Sequence, residues 1–217
     1  MMSTSSVGPV TAAAAATTAA ATTTTGPADT RQAILDAAEA EFGRRGFRST
    51  TIGGVAAAAG VSRPLVYRYF GDKETLYRLV VERLLASWHD ALVGAATPAA
   101  PTTAHRLRAV MAACLEWAGR HSMLRGLLLR DSDLTRRVAG TTLDEGRDRL
   151  PALLERVLAE GVDRGDVRAD LPPAEMAAVL TDVIVAGAVQ TMAAEGAGRA
   201  TTRTEAMVEV VLHGVVL

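Results

Sequence analysis

The side chains with chemistry to offer are spread unevenly along the 217 residues. Between Phe42 and Lys73 lie six cations, Arg44, Arg45, Arg48, Arg63, Arg68 and Lys73, against the single carboxylate Asp72, whereas from Asp90 to the end 14 Arg oppose 17 Asp and Glu. The formal net charge is only −1, which argues against a protein that coats nucleic acid over its whole surface. A basic segment on a near-neutral body instead points to one local anionic partner, with phosphate the obvious candidate. Hydroxyls are interleaved with these cations at Thr50, Thr51, Ser62, Tyr67 and Tyr69, and Lys73 is the chain's only lysine, a compact ammonium in a sequence that otherwise uses arginine.

Catalysis and metal binding find no comparable cluster. His89, His105, His121 and His213 are scattered without ligand spacing, Cys114 has no partner cysteine, and neither a Gly-x-x-x-x-Gly-Lys loop nor a His-Glu-x-x-His pair occurs. No enzyme, metal or cofactor is therefore expected. A lone cysteine cannot form an internal disulfide and suits a reducing compartment, so the cytoplasm is the expected location. No apolar run is long enough to span a bilayer, and no membrane partner is expected.

The elements that must position the basic segment are helical. Residues 1–26 carry Ala, Thr, Ser, Gly, Val and Pro with no charge, offer no stripe to bury, and read as a disordered tail rather than a signal peptide. From Thr30 the apolar spacing of Ile34, Leu35, Ala38 and Phe42 makes a first helix, stopped at Gly43. Helical spacing then continues to the end, broken at Gly60-Val61-Ser62, Gly71-Asp72, Gly94 to Thr103, Arg120 to Ser122, Asp131 to Asp133, Gly165 to Pro173 and Gly196 to Ala200. No alternating strand pattern competes, and the fold class is all-α: a three-helix head over 27–75 and a helical body over 76–217.

Within the head, Thr50 to Leu76 has the order of a helix-turn-helix. Thr50 or Thr51 caps a short helix whose inner face is Ile52, Val55, Ala56 and Ala59; Gly60 supplies the turn; Val61 fills the space between two helices; Ser62 caps the second, and Val66 is its core contact. Arg63, Leu65, Tyr67 and Arg68 are left to point outward from a helix that fits the major groove, where an arginine near the N-terminus can bond guanine bidentately. Arg63 is the expected base reader. Tyr67, Tyr69 and Lys73 are expected on phosphate. All three Phe and all three Tyr fall between Phe42 and Tyr77, as a small head needs for its core.

This arrangement resembles the tetracycline-repressor (TetR) family, whose heads share a pattern like T-x-x-x-I-A-x-x-A-G-V-S-x-x-x-L-Y-x-H-F-x-x-K-E-x-L. Val55-Ala56, Ala59-Gly60-Val61-Ser62, Val66-Tyr67, Tyr69-Phe70, Lys73-Glu74 and Leu76 occupy those positions, and Thr50 stands next to the position of the first Thr. The resemblance implies phosphate contacts at Thr50, Tyr67, Tyr69 and Lys73 and base contacts from Arg63 through Pro64 to Leu65, with Arg48, Thr51, Ser62 and Arg68 completing the candidate DNA surface. Three departures matter. Gly53 and Gly54 each weaken the supporting helix by about 1 kcal/mol relative to Ala. Pro64 stiffens the first turn of the recognition helix. Tyr69 stands where His is frequent, removing a titration near neutral pH.

The body is expected to hold a small-molecule effector and a homodimer interface. Met111, Cys114, Trp117, His121, Arg125 and Leu128 are the candidate pocket residues, an apolar stripe with a few polar groups. The helix opened by Pro172-Pro173 is apolar nearly all round and must be covered on both sides. Val179, Val183 and Gly187 on it, with Val208, Val211, Leu212 and Val215 on the last helix, form the expected dimer face. The function implied is a sequence-specific repressor on a palindromic operator of double-stranded DNA, released by a small molecule. The rival reading is an activating or architectural DNA-binding protein that senses no ligand.

Overall fold

The computed structural model describes residues 26–128, 141–193 and 197–216. Its helices are α1 (Pro27–Ser49), α2 (Ile52–Ala58), α3 (Arg63–Phe70), α4 (Lys73–Ala95), α5 (Thr103–Arg120), α6 (Ser122–Leu128), α7 (Thr141–Arg164), α8 (Pro173–Ala193) and α9 (Ala197–Val215). The all-α expectation holds: among the described residues the sole extended pairing is an isolated bridge between Val167 and Val216. The expected tail lies outside the described residues apart from Gly26.

The first helix is longer than its apolar spacing suggests. Helical backbone continues past Gly43 to Arg45, and the break falls at Gly46, whose φ of 73° is a conformation that glycine adopts without the steric cost of a Cβ. Beyond it the chain turns Phe47 back onto Phe42, with ring centroids 5.9 Å apart, and both rings meet the edge of Tyr77 at 5.0 Å. Tyr77 is fully buried and belongs to α4. The head is thus closed by α1 and α4, with α2 and α3 packed across them.

Helix α4 serves both halves of the molecule. Its first turns bury Leu76, Tyr77, Val80 and Val81 in the head, and its later turns bury Leu84, Leu85, Trp88 and Leu92 against α5 and α7. Helix α8 lies among α5, α6, α7 and α9, with Met176, Ala177, Leu180 and Ile184 inward.

The end of the body remote from α1 is tied by charge. Arg106, only 2% exposed, donates to the Ala96 carbonyl (3.2 Å) and to Glu160 (2.6 Å). The Thr103 amide and hydroxyl both donate to the Asp166 carboxylate, at 2.7 and 2.6 Å, while Arg164 donates to the same hydroxyl at 2.5 Å. Gly161 lets the helices approach here, since a Cβ would sit 2.5 Å from the Thr103 hydroxyl oxygen and from a Val167 methyl. Burial pushes Asp166 up, but the two bonds from Thr103 and the nearby Arg164 outweigh it and hold the carboxyl below its ordinary value.

A carboxyl whose folded pKa is depressed stabilises the fold above its unfolded pKa, about 3.9, and that contribution is lost as pH falls through the folded value. Asp166→Asn is therefore expected to lower the urea midpoint at neutral pH, with the gap to wild type narrowing as the pH is taken down below about 3.9. A gap independent of pH would show that the charge of Asp166 is not what matters.

Candidate nucleic-acid interface

Helix α2 begins at Thr51, whose hydroxyl oxygen accepts the Gly54 amide at 3.0 Å, so that of the two candidate caps Thr51 serves. Ile52, Val55 and Ala56 are buried, and Gly53 and Gly54 stay helical. Gly60 takes φ of 67°, the Val61 amide donates to Ala56 at 2.9 Å, and Val61 packs against the core between the two helices. This is the turn expected from Ala59-Gly60-Val61-Ser62.

Helix α3 buries only Val66 and Phe70. Arg63, Pro64, Tyr67 and Arg68 are exposed, while Leu65 and Tyr69 are half-buried. Ser62 has the extended backbone of an N-cap, yet its hydroxyl makes no capping bond. The expected side-chain cap is thus replaced by backbone bonds, with the Leu65 amide donating to the Ser62 carbonyl at 3.0 Å, and the exposed hydroxyl is left for an outside partner. The Arg63 guanidinium donates to the Tyr67 hydroxyl at 3.2 Å and lies 5.5 Å from that ring's centroid, an arrangement that preorganises it with its charge intact.

The flanks are fixed from other helices. The Tyr69 hydroxyl donates to the Pro27 carbonyl at 3.3 Å, tying α3 to the start of α1. The Lys73 ammonium donates to the Arg48 carbonyl at 3.3 Å and stands 4.3 Å over the Phe47 ring. Between them Gly71 has φ of 75°, and Asp72 caps α4 by accepting the Thr75 amide at 2.6 Å. That amide and the Thr75 hydroxyl hold the Asp72 carboxyl below its usual range, so the one acid of the segment is turned into the helix start.

Two corrections apply to the basic segment. Thr50 is 1% exposed, and its hydroxyl donates to the Glu41 and Gly46 carbonyls at 3.0 and 2.8 Å. It clamps the chain behind the Gly46 reversal and presents no hydroxyl to a phosphate. Arg44 and Arg45 are paired with Glu41, an acid just outside the stretch in which six cations face one carboxylate. Arg48 is exposed, as is Arg68.

The body divides the candidate pocket residues. Met111 and Cys114 are buried in the core. Burial pushes the Cys114 thiol up to about 12; the Trp88 indole N–H beside it offsets little and lies outside ordinary hydrogen-bond geometry. Trp117 packs against the edge of that core, its ring stacks on His121 at 4.2 Å, and His121 Nδ1 is 2.6 Å from a Glu39 carboxylate oxygen on α1. The reason is local, because α5 ends at Arg120 and His121 leaves helical backbone, turning its ring toward the head. The cleft beside it, about 350 Å³, is lined by Asp36, Glu39, Ala40, Arg120, His121, Ser122 and Met123 and forms a polar junction between head and body. The side chains of Arg125 and Leu128 lie outside the described residues.

The expected dimer face is corrected as well. Gly187, Val208, Leu212 and Val215 are buried inside the subunit, and Val183 and Val211 are half-buried. Val179, at 55% exposure, is outward, and so is Val210, at 74%, which the sequence reading passed over. On a helix apolar over most of its circumference, periodicity alone does not say which stripe faces inward.

Fold and site together define a helix-turn-helix head carried on a helical body. Residues 34–80 of the head match the family model of the tetR family of bacterial regulatory proteins. A repressor from Brucella suis biovar 1 (strain 1330), BepR, is 35% identical over 89 residues, covering 41% of this chain and 43% of that protein. The HTH-type regulator AcrR of Shigella flexneri is 44% identical over 54 residues, 25% of each chain. The chain thus spans less than half the length of these relatives. The solved structure of SmeT, the repressor of the Stenotrophomonas maltophilia multidrug efflux pump SmeDEF, superposes with a TM-score of 0.62 at 24% identity, over 86% of this chain and 90% of that one. At that identity the likeness speaks for the fold, body included.

The internal role of Thr50 is testable. Thr50→Val keeps the shape, removes the hydroxyl bonds, and is expected to cost about 1–2 kcal/mol in urea unfolding. The salt dependence of DNA binding should stay unchanged, and a flatter dependence would put Thr50 back on a phosphate.

Proposed function

We propose that the chain is a sequence-specific transcriptional repressor that binds palindromic operator DNA as a homodimer and is released by a small-molecule effector. The observation that carries this reading is the outward face of α3, where Arg63, Pro64, Tyr67 and Arg68 stand together on a helix anchored by only two buried residues. In this reading Arg63 reads base edges with Pro64 and Leu65 beside it. Tyr67, Arg68, Tyr69, Lys73, Arg48 and the first turn of α2 at Thr51 position the phosphate backbone, and Ser62 offers its hydroxyl.

The effector reading draws on the body and on its likenesses. FadR from Bacillus subtilis, solved in complex with stearoyl-CoA, superposes with a TM-score of 0.68 at 19% identity over 84% of this chain and 98% of that one. An effector that moves α4 would change the spacing of two heads, which must match half-sites about one DNA turn apart. Met111 and Cys114 stay candidates for the effector's surroundings. The homodimer is placed on the outward stripe of α8 and α9 that includes Val179 and Val210. No described helix is long and apolar enough to cross a membrane, and the site of action proposed is the cytoplasm.

Selection of bound sequences from random duplex DNA by the purified chain should recover an inverted repeat; no enrichment by folded dimer overturns the reading. On the recovered site Arg63→Ala should relax preference at one base position by about 1–3 kcal/mol, whereas Lys73→Ala should weaken binding to all sequences alike. For the dimer, light scattering at micromolar concentration should give twice the chain mass, and Val210→Glu should reduce it to the monomer. An unaffected dimer in that variant would move the interface away from α9.

A further inference from the structure

The cations of the head are held in two different ways. Arg44 and Arg45 lie on Glu41, Arg78 on Glu82, and Arg83 on Asp36 and Glu39, so each is largely neutralised where it stands. Arg63 is held by the ring and hydroxyl of Tyr67, which fix a guanidinium and leave its charge available. Arg31, on the first turns of α1 and outside the helix-turn-helix motif, is held in the second way. It is exposed, its guanidinium carbon is 5.5 Å from the centroid of the Phe70 ring, and no carboxylate pairs with it among the described residues.

Its position matters as much as its charge. Arg31 is four residues on from Pro27 and so shares its face of the helix. The Pro27 carbonyl accepts the hydroxyl of Tyr69, a residue assigned above to a phosphate. The acid of that turn, Asp29, is drawn back onto the Gly26 amide at 3.2 Å, and Asp36 is taken by Gln32 and Arg83. Arg31 thus stands beside the end of the recognition helix with its charge uncompensated.

We infer that Arg31 is a further DNA-binding residue, which extends the footprint from the helix-turn-helix to the start of α1 by an ionic contact with a backbone phosphate. The inference rests on the DNA-binding reading of α3. A phosphate contact carries no base preference, so Arg31 adds affinity and salt dependence rather than specificity.

The test uses the full chain and a mixed-sequence duplex of about three helical turns, with affinity measured by fluorescence anisotropy across salt. Arg31→Gln should flatten the slope of log K against log salt by about 0.9 for each head on the duplex, about 1.8 for the dimer, so that the wild type's advantage shrinks about twelvefold between roughly 50 and 200 mM salt. Arg31→Lys, which keeps the charge, should restore most of the slope. If wild type binds and Arg31→Gln has an unchanged slope, even with a lowered thermal midpoint, Arg31 only braces Phe70 and the inference fails while the reading of α3 stands. If wild type does not bind the duplex at low salt, both fail together.

Discussion

The head depends on one contact: the meeting of Phe42, Phe47 and Tyr77. Aromatic pairs at centroid distances of 5.0 to 5.9 Å add about 0.5–1.5 kcal/mol each beyond the area they bury. Here they also do geometric work. Phe47 reaches Phe42 only because Gly46 turns the chain back, and the Thr50 hydroxyl locks that reversal by bonding the Glu41 and Gly46 carbonyls. Thr51 is then in place to cap α2, and the Phe47 ring is in place under the Lys73 ammonium. The surface that faces outward is therefore set by contacts that never see solvent.

The same triangle decides how the two halves communicate. Tyr77 lies on α4, which continues without interruption to Trp88 and Leu92 in the body core. A rigid helix buried at both ends cannot shift in one half without disturbing the other. A second tie runs beside it: Glu39 on α1 holds Arg83 of α4 on one carboxylate oxygen and His121, at the corner of α5 and α6, on the other. Close backbone approach supports it, since a side chain at Gly43 would collide with Ser122. The head is thus seated on α4 and on the α5–α6 corner at once. A change in the body that separates these two supports must tilt α1, and α3 moves with α1 through the Tyr69 bond to Pro27.

Much of this was legible in the sequence because local requirements are written in local residues. Gly60 marks a positive-φ turn, Gly71-Asp72 a break between helices, and Val61 and Val66 the seam of the two helices, and the structure places all of them as expected. Three things were not legible, each for a physical reason. Thr50 and Thr51 are adjacent hydroxyls, and which one caps depends on the reversal at Gly46, a position that periodicity reads past. Glu41 pairs with Arg44 and Arg45 across one helix turn, which a first helix stopped at Gly43 does not contain; the pairing appears once helical backbone is seen to run on to Arg45. Trp117 and His121 continue the stripe of Met111 and Cys114 in sequence, but the chain leaves helical backbone at His121, whose ring stacks on Trp117 and reaches Glu39 of α1.

The dimer face shows the limit of the same method from the other side. Helix α8 is apolar around so much of its circumference that its own residues single out no inward stripe, whereas α9 alternates charged and apolar residues at helical spacing. On α9 polar anchors on neighbouring elements hold the inward stripe in place. Arg108 on α5 takes Glu209 by two bonds, at 2.7 and 2.8 Å, and holds that carboxyl below its ordinary range. Arg168 donates to the Gly214 carbonyl at 2.9 Å, and its amide donates to Val215 at 3.1 Å. With Glu209 pinned toward α5 and the end of α9 bound to the loop before α8, Val208, Leu212 and Val215 are driven inward. Val210, on the opposite side of the helix from Val208 and Leu212, faces out. The apolar stripe of α9 and two arginines outside the helix therefore agree on the face that turns inward.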